Sequence, residues 1–433
     1  MRCKRTNAWL LCCADGGAEP VLSLPMTRIA LEHSKPPDTD AWRLLVSRGL
    51  RGAIDGTVSV MLAGYLARLG FSAIAVGMLV TGTMFGSGVV TLAVGFVAHR
   101  ISSRRLLLFA ACLMVGTGFG FAAFTSFGPL LLVAVIGTLN PSNGDVSLFL
   151  PLEQAALATL TVGKRATTAL FARYNVIGNF SGALGALAVG LPGLLTRWCG
   201  VASVTGERSV FLLYSAVGGL VAWLYARMPE VPLARHSRQP LAVSRAAVMR
   251  LAALFSLDSF GGGFVVQSLL ALWLFRRFQL SLSAAGAFFF ASSLASSLSQ
   301  FLSPRLAARI GLVRTMVYTH VPANLFLMAA AFMPTLGSTL ACLLLRASIS
   351  SMDVPARQAY VMSVVPPEER VAAASVTNVP RSLASSLAPA LAGALLERTN
   401  FGWPLLCAGA LKLSYDFLLL GLFHKAEQLQ VEN

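Results

Sequence analysis

Apolar residues in this chain run in twelve stretches of roughly twenty, parted by short polar loops, from about Trp42 to His424. A helix rises ~1.5 Å per residue, so each stretch can cross a hydrocarbon core ~30 Å thick. The backbone finds no water there, and only helices or closed barrels satisfy it. The apolarity is continuous instead of alternating with period two, which selects the helix. The spans read as Arg51–Leu69, Ile74–Val97, Leu106–Phe124, Pro129–Leu152, Thr168–Leu191 and Val210–Ala226, then Met249–Trp273, Ala284–Leu302, Thr315–Phe332, Thr335–Val354, Ala373–Leu395 and Trp403–Phe423. An all-α membrane protein of twelve transmembrane helices is expected.

Composition agrees. Hydrophobic residues are 56% of the chain and charged residues 12%, against about a quarter charged in soluble domains. The net charge of +16 does not mark a nucleic-acid binder, because the basic residues are scattered among loops. Their distribution sets topology instead. One set of alternate loops holds Arg100, Arg104, Arg105, Lys164, Arg165, Arg227, Arg235, Arg238, Arg245, Arg305, Arg309, Arg314, Arg370 and Lys425; the other holds Arg68, Arg197, Arg208, Arg276, Arg277 and Arg398. Short basic loops stay cytoplasmic, so both termini are expected inside, in a plasma or inner membrane. The seven cysteines show no CxxC pair, which points to neither a disulfide framework nor a zinc site. No cofactor is expected.

Residues 1–42 are more polar, with Asp15, Glu19, Glu32, Asp38 and Asp40, and read as a disordered cytoplasmic tail; Met26 could open the chain without loss of a span. Residues 43–228 read as one six-helix bundle and 248–424 as another. Between them 229–247, with Pro229, Pro232 and Pro240, reads as a cytoplasmic linker, and 425–433 as a short tail. The halves are related. An offset of 209 positions lays Arg68 on Arg277, Ser72 on Ser281, Gly77 on Gly286, Arg100 on Arg309 and Arg105 on Arg314; one of 204 lays Pro151, Gln154 and Ala155 on Pro355, Gln358 and Ala359.

Between spans two and three stands Gly95-Phe96-Val97-Ala98-His99-Arg100-Ile101-Ser102-Ser103-Arg104-Arg105. This resembles the signature loop of the major facilitator superfamily, Gly-x-Leu-x-Asp-Arg-x-Gly-Arg-Arg/Lys. Gly95, Arg100, Arg104 and Arg105 match, while His99 replaces the acid and Ser102 a glycine. The second-half counterpart keeps Arg309 and Gly311 and has Ala308 where the acid would stand. The resemblance implies two pseudo-symmetric six-helix bundles, alternating access, and a cytoplasmic gate at this loop. Glu153, at the expected cytoplasmic end of span four, could replace the missing acid by pairing with Arg100, Arg104 or Arg165; its repeat mate Arg357 has the opposite sign. The span-five pattern Gly178-x3-Gly182-x2-Gly185-x4-Gly190-x-Pro192 is similar to the glycine–proline motif of the family's drug:proton antiporters, without its central Gly-Pro. Close helix packing explains it equally well.

Ionisable residues deep in a span cost about 2.5–3.5 kcal/mol on insertion scales, so they usually face a cavity and act there. Asp55, Asp145, Asp258 and Arg346 stand near the middle of spans one, four, seven and ten, the helices that line the cavity in the family this chain resembles. Arg51 and Asp55, four apart, can pair. Asp258 has no arginine within a turn, so it and Asp55 are the candidate proton carriers. Asn140, Pro141, Asn143 and Asp145 should kink span four and expose polar groups; Asn140, Asn143, Asp145, Arg51 and Arg346 are the candidate solute contacts. Gly261-Gly262-Gly263 could let span seven bend. His320, Asn324, Arg381 and the Lys412/Asp416 pair are expected to be structural, on more peripheral spans.

No HExxH, GxSxG or Walker loop occurs, which argues against an enzyme. The expected function is secondary transport of a small solute, leaning to proton-coupled efflux of cationic solutes by a functional monomer. The alternative is proton symport of a metabolite or organic anion through Arg51 and Arg346; a non-transporting sensor is a minor one.

Overall fold

The computed structural model describes residues 37–97, 101–142, 148–160, 164–190, 203–230, 244–366 and 369–431. Among them the secondary structure is helical throughout, with no strand. Helix α1 (Pro37–Arg68) opens fourteen residues before the expected span. Pro37 suits a first helical turn, and Asp40 accepts from Arg43 one turn on at 2.6 Å. Residues 37–42, read as tail, therefore belong to the helix. Next come α2 (Ala73–Val97), α3 (Ser103–Ala123), α4 (Phe127–Ile136), α5 (Phe149–Thr159), α6 (Lys164–Ala188) and α7 (Ser203–Ala226). The second half holds α8 (Arg245–Gly263), α9 (Gln267–Phe278), α10 (Leu282–Gln300), α11 (Ser303–Ile310), α12 (Leu312–Phe332), α13 (Leu336–Ser350), α14 (Asp353–Ser363), α15 (Arg370–Arg398) and α16 (Trp403–Val431).

Eight described segments are long and apolar enough to cross a membrane by length and composition alone. Spans one, four, five and ten of the sequence reading are not among them. Span one carries Arg48, Arg51 and Asp55, and span five Arg173, Asn175 and Asn179; spans four and ten are each broken. Span four breaks between Ile136 and Phe149, around Pro141, as expected. The break in span ten, at Ser351-Met352 ahead of Pro355, was not foreseen. Span seven also breaks, and α8 stops at Gly263.

Within the first bundle α1 packs on α6, α3 on α7 and α2 on α4; within the second α8 packs on α15, α12 on α16 and α10 on α13. By span these are one set of pairings used twice: first with fifth, third with sixth, second with fourth. The bundles meet through α2 with α15, α6 with α10, and α1 with α9. Glycine permits the closest of these approaches. A Cβ on Gly77 would lie 2.5 Å from the Pro389 carbonyl oxygen, and one on Gly393 2.4 Å from that of Ala73. Without aqueous hydrophobic driving force between spans, such small-residue contacts let backbones pack tightly. Large apolar side chains such as Phe109, Phe119, Leu132, Phe180, Leu213, Leu391 and Phe417 point outward, as a lipid-facing surface requires.

Candidate functional site: a buried charge network in each bundle

The first network gathers on Glu153. Its side chain is fully buried on α5, because α5 continues to Thr159 and carries the residue inside the bundle. Arg51 of α1 donates from Nη2 to Oε2. Tyr174 of α6 donates to the same oxygen at 2.5 Å and Tyr225 of α7 to Oε1 at 2.5 Å. One carboxylate thus ties together the first, fourth, fifth and sixth spans. Its described basic partner is Arg51 and not the expected Arg104, while Arg100 and the Arg165 side chain lie outside the described residues; the Arg51–Asp55 pair does not form. Arg51 turns toward Glu153 and lies over the Phe149 ring at 4.0 Å. Asp55 is buried and has no hydrogen bond or ion pair among the described residues, although it feels the charges of Arg51 and Arg48.

The second network gathers on Asp258 of α8. Lys412 Nζ of α16 lies 2.6 Å from Oδ1, Arg357 Nη1 of α14 lies 3.4 Å from Oδ2, and His320 Nε2 of α12 lies 3.7 Å from Oδ1. Asp258 is therefore not left to desolvation, as its helix neighbours suggested; its cations come from 99 and 154 positions along the chain. Arg357 also faces Asp353 at 3.4 Å. Arg346, half-buried on α13, feels the charge of Asp258. The presumed Lys412/Asp416 pair is exchanged for others: Lys412 turns to Asp258, while Asp416 lies 2.8 Å from His320 Nδ1 and accepts from Asn324 at 3.1 Å. Arg381 donates to Ser259 at 2.7 Å. The residues assigned to peripheral structural pairing stand at the charged centre of this bundle.

The two networks correspond by repeat. Arg51 with Glu153 joins the first and fourth spans of one bundle, and Asp258 with Arg357 joins those of the other, with the charges exchanged. They are two networks, one inside each bundle; of the residues expected to share a pocket, Asp258 belongs to the second and Asp55 to neither. Asp145 and Asn143 lie outside the described residues. Asn140 is buried, and its Oδ1 accepts from Ser142 N at 3.1 Å and Ser142 Oγ at 2.9 Å, a local turn.

Only part of the expected gate loop lies among the described residues. His99 and Arg100 lie outside the described residues, and Gly95 sits near the end of α2. Arg105 pairs with Glu230 of its own half at 3.3 Å, Arg104 begins α3, and Arg309 is exposed in the last turn of α11. The bundles meet at the other end. Glu397 accepts from Ala73 N at 2.6 Å, Thr81 Oγ1 accepts from Ala390 N at 3.0 Å, and Gly286 packs on Ala186. At mid-depth the Ser268 N–H at the start of α9 donates to the Pro141 carbonyl at 3.2 Å, so the two broken spans satisfy each other's backbone. The span-five glycines are taken up in packing: a Cβ on Gly185 would meet the Ala53 carbonyl oxygen of α1 at 1.8 Å.

A family model described as Major Facilitator Superfamily matches residues 44–389 and 253–430. The chain belongs to this superfamily. Its members are secondary transporters, and this chain is accordingly a multi-pass membrane protein that moves a small molecule across a membrane. An uncharacterized membrane protein of Saccharomyces cerevisiae is 24% identical over 411 residues, covering 85% of this chain and 90% of the yeast protein. Solved structures with the same fold include the nucleoside transporter NupG (TM-score 0.68, 15% identity, 89% of this chain and 99% of that one). They also include a bacterial homologue of the human lysosomal transporter Spinster (0.70, 17%, 91% and 99%) and a D-xylose–proton symporter (0.68, 16%, 89% and 97%). The superfamily fold accounts for the repeated span pairings.

Proposed function

We propose that transport by this chain is driven by protons and that the second network is where the proton acts. One observation carries the reading: Asp258 is shared by Lys412, Arg357 and His320, each from a different helix. A proton on Asp258 removes the charge holding both basic side chains, and the ties among α8, α14 and α16 loosen together. His320 stands between two acids, Asp258 and Asp416, with one ring nitrogen toward each. Rocking of the bundles then exposes the site to each side in turn, with the end at Ala73 and Glu397 as one gate.

Between export and symport, the contacts favour symport of a metabolite with its proton. The resemblance to drug:proton antiporters rested on the span-five glycines, which pack against α1. The lean to cationic solutes rests on the mid-depth acids Asp55, Asp145 and Asp258, of which Asp258 is already engaged by protein donors.

The test is purified protein in proteoliposomes under an imposed pH gradient, screened against cationic drugs, sugars and organic acids while internal pH is followed. Solute and protons should move inward together, and Asp258→Asn should abolish uphill transport while sparing exchange. Solute movement without a pH change, or uphill transport intact in the variant, overturns the reading.

A further inference from the structure

A depression of about 390 Å³ lies where the bundles close on each other, between the end of α1 and α9. Its lining includes Gly64 and Arg68 from the first bundle and Leu272, Phe275, Arg276 and Gln279 from the second. A Cβ on Gly64 would come within 3.3 Å of the Phe275 ring, so the bare glycine helps keep the space open. Arg68 is offset by buried Glu207, which takes its Nε at 3.0 Å and also accepts from Nη2. The Arg276 side chain has no hydrogen bond or ion pair among the described residues; only its carbonyl accepts, from Gln279 Nε2 at 3.4 Å. The mouth therefore presents a surplus positive charge beside apolar walls.

Mid-depth carries a second, independent sign of the same polarity. Arg51 is 1% exposed, yet its Nε and Nη1 have no acceptor among the described residues, and the buried Nε atoms of Arg48 and Arg346 have none there either. Buried donors of a native protein are almost always satisfied, so each such group calls for an acceptor from outside the chain. These donors are guanidinium N–H groups, and the acceptors they bind most strongly are carboxylates, phosphates and sulfonates.

We infer that the transported solute is an organic anion, an acidic group on a small apolar body. Arg276 captures it at the mouth between α1 and α9, and the arginines at mid-depth receive it. This rests on the transporter reading above and adds its substrate class. An anion travelling with a proton also crosses with less net charge, which fits symport.

The test is binding without any gradient. Detergent-purified protein is titrated with phenyl phosphate and benzenesulfonate, with benzyltrimethylammonium as the matched cation and benzyl alcohol as the neutral control, reading thermal protection. Saturable protection by the anions alone is expected. Arg276→Gln should weaken it about tenfold, the scale of one charge-assisted hydrogen bond, with the unliganded melting point unchanged. Gly64→Leu, which fills the depression, should weaken it similarly, and Arg346→Gln should lower affinity further. The inference is overturned if neither anion protects, if the cation protects as well as they do, or if all three variants bind as wild type does. Because no pH gradient is present, failure here leaves proton coupling standing, and failure of coupling leaves this result standing.

Discussion

The two bundles solve one structural problem with opposite charges and different degrees of freedom. In the first, Glu153 is fully buried and accepts from Arg51, Tyr174 and Tyr225. All of these donors point at one carboxylate, so the arrangement has one stable pairing and acts as a clamp. In the second, Asp258, Asp353 and Asp416 face Arg357, Lys412 and His320, and both Arg357 and His320 lie within reach of two acids. Several pairings of similar geometry are available there. A network with one solution holds a bundle rigid, whereas one with several can be switched by a proton. Inherited from one repeat, the first–fourth span pair has become a clamp in one copy and, on the proposed function, a switch in the other.

The largest effect should come from breaking the clamp. Glu153→Ala leaves Arg51 buried without its counter-charge, and stability should fall by about 3–5 kcal/mol. Folded yield and melting point in detergent check this; a variant that melts like wild type would show that Arg51 and Glu153 are not a clamp. Exchanging the charges, Arg51→Glu with Glu153→Arg, should recover part of the loss, because the second bundle shows that the inverted pair can be built.

A steric probe comes next. Gly393→Leu at the Ala73 contact should keep the gate end from closing and depress solute exchange by about tenfold or more, since the side chain meets backbone with no room to yield. Exchange at wild-type rate would mean that this end does not close during transport. Tyr174→Phe should cost about 1.5–3 kcal/mol, the range for a hydrogen bond to a charged group, without altering the pH profile of transport. His320→Gln should do the reverse: little loss of stability, but a changed dependence of transport rate on pH, because the side chain between Asp258 and Asp416 can no longer carry a proton. Transport rate against pH in the two variants sharpens the contrast, and a flattened profile in Tyr174→Phe would place the switch in the wrong bundle.

The single-chain reading went far on the spans and less far on the partners. Continuous apolarity revealed the helices because the bilayer leaves the backbone no alternative. The breaks in spans four and seven announced themselves through Pro141 and the Gly261–Gly263 run. The break at Ser351-Met352 had only Pro355 as a signal, legible through the repeat with Pro151. The acids at Asp55 and Asp258 stood out by their depth. Tyr174 and Tyr225 did not, because a tyrosine in an apolar run looks like packing until its hydroxyl is seen to reach Glu153.

Sequence alone determined that this chain crosses a membrane many times, pointed to a repeat in its halves, and marked Asp55 and Asp258 as charges inside the bundles. Those properties follow from the cost of polar groups in lipid, which acts on each segment separately. Which charge meets which was decided only by the tertiary structure. Lys412 could equally serve Asp416 one turn away or Asp258 on another helix, and α8, α12, α14 and α16 must pack before the choice exists. Electrostatic pairing falls off with distance in space, and packed helices bring residues a hundred or more positions apart into contact while turning near neighbours to different faces.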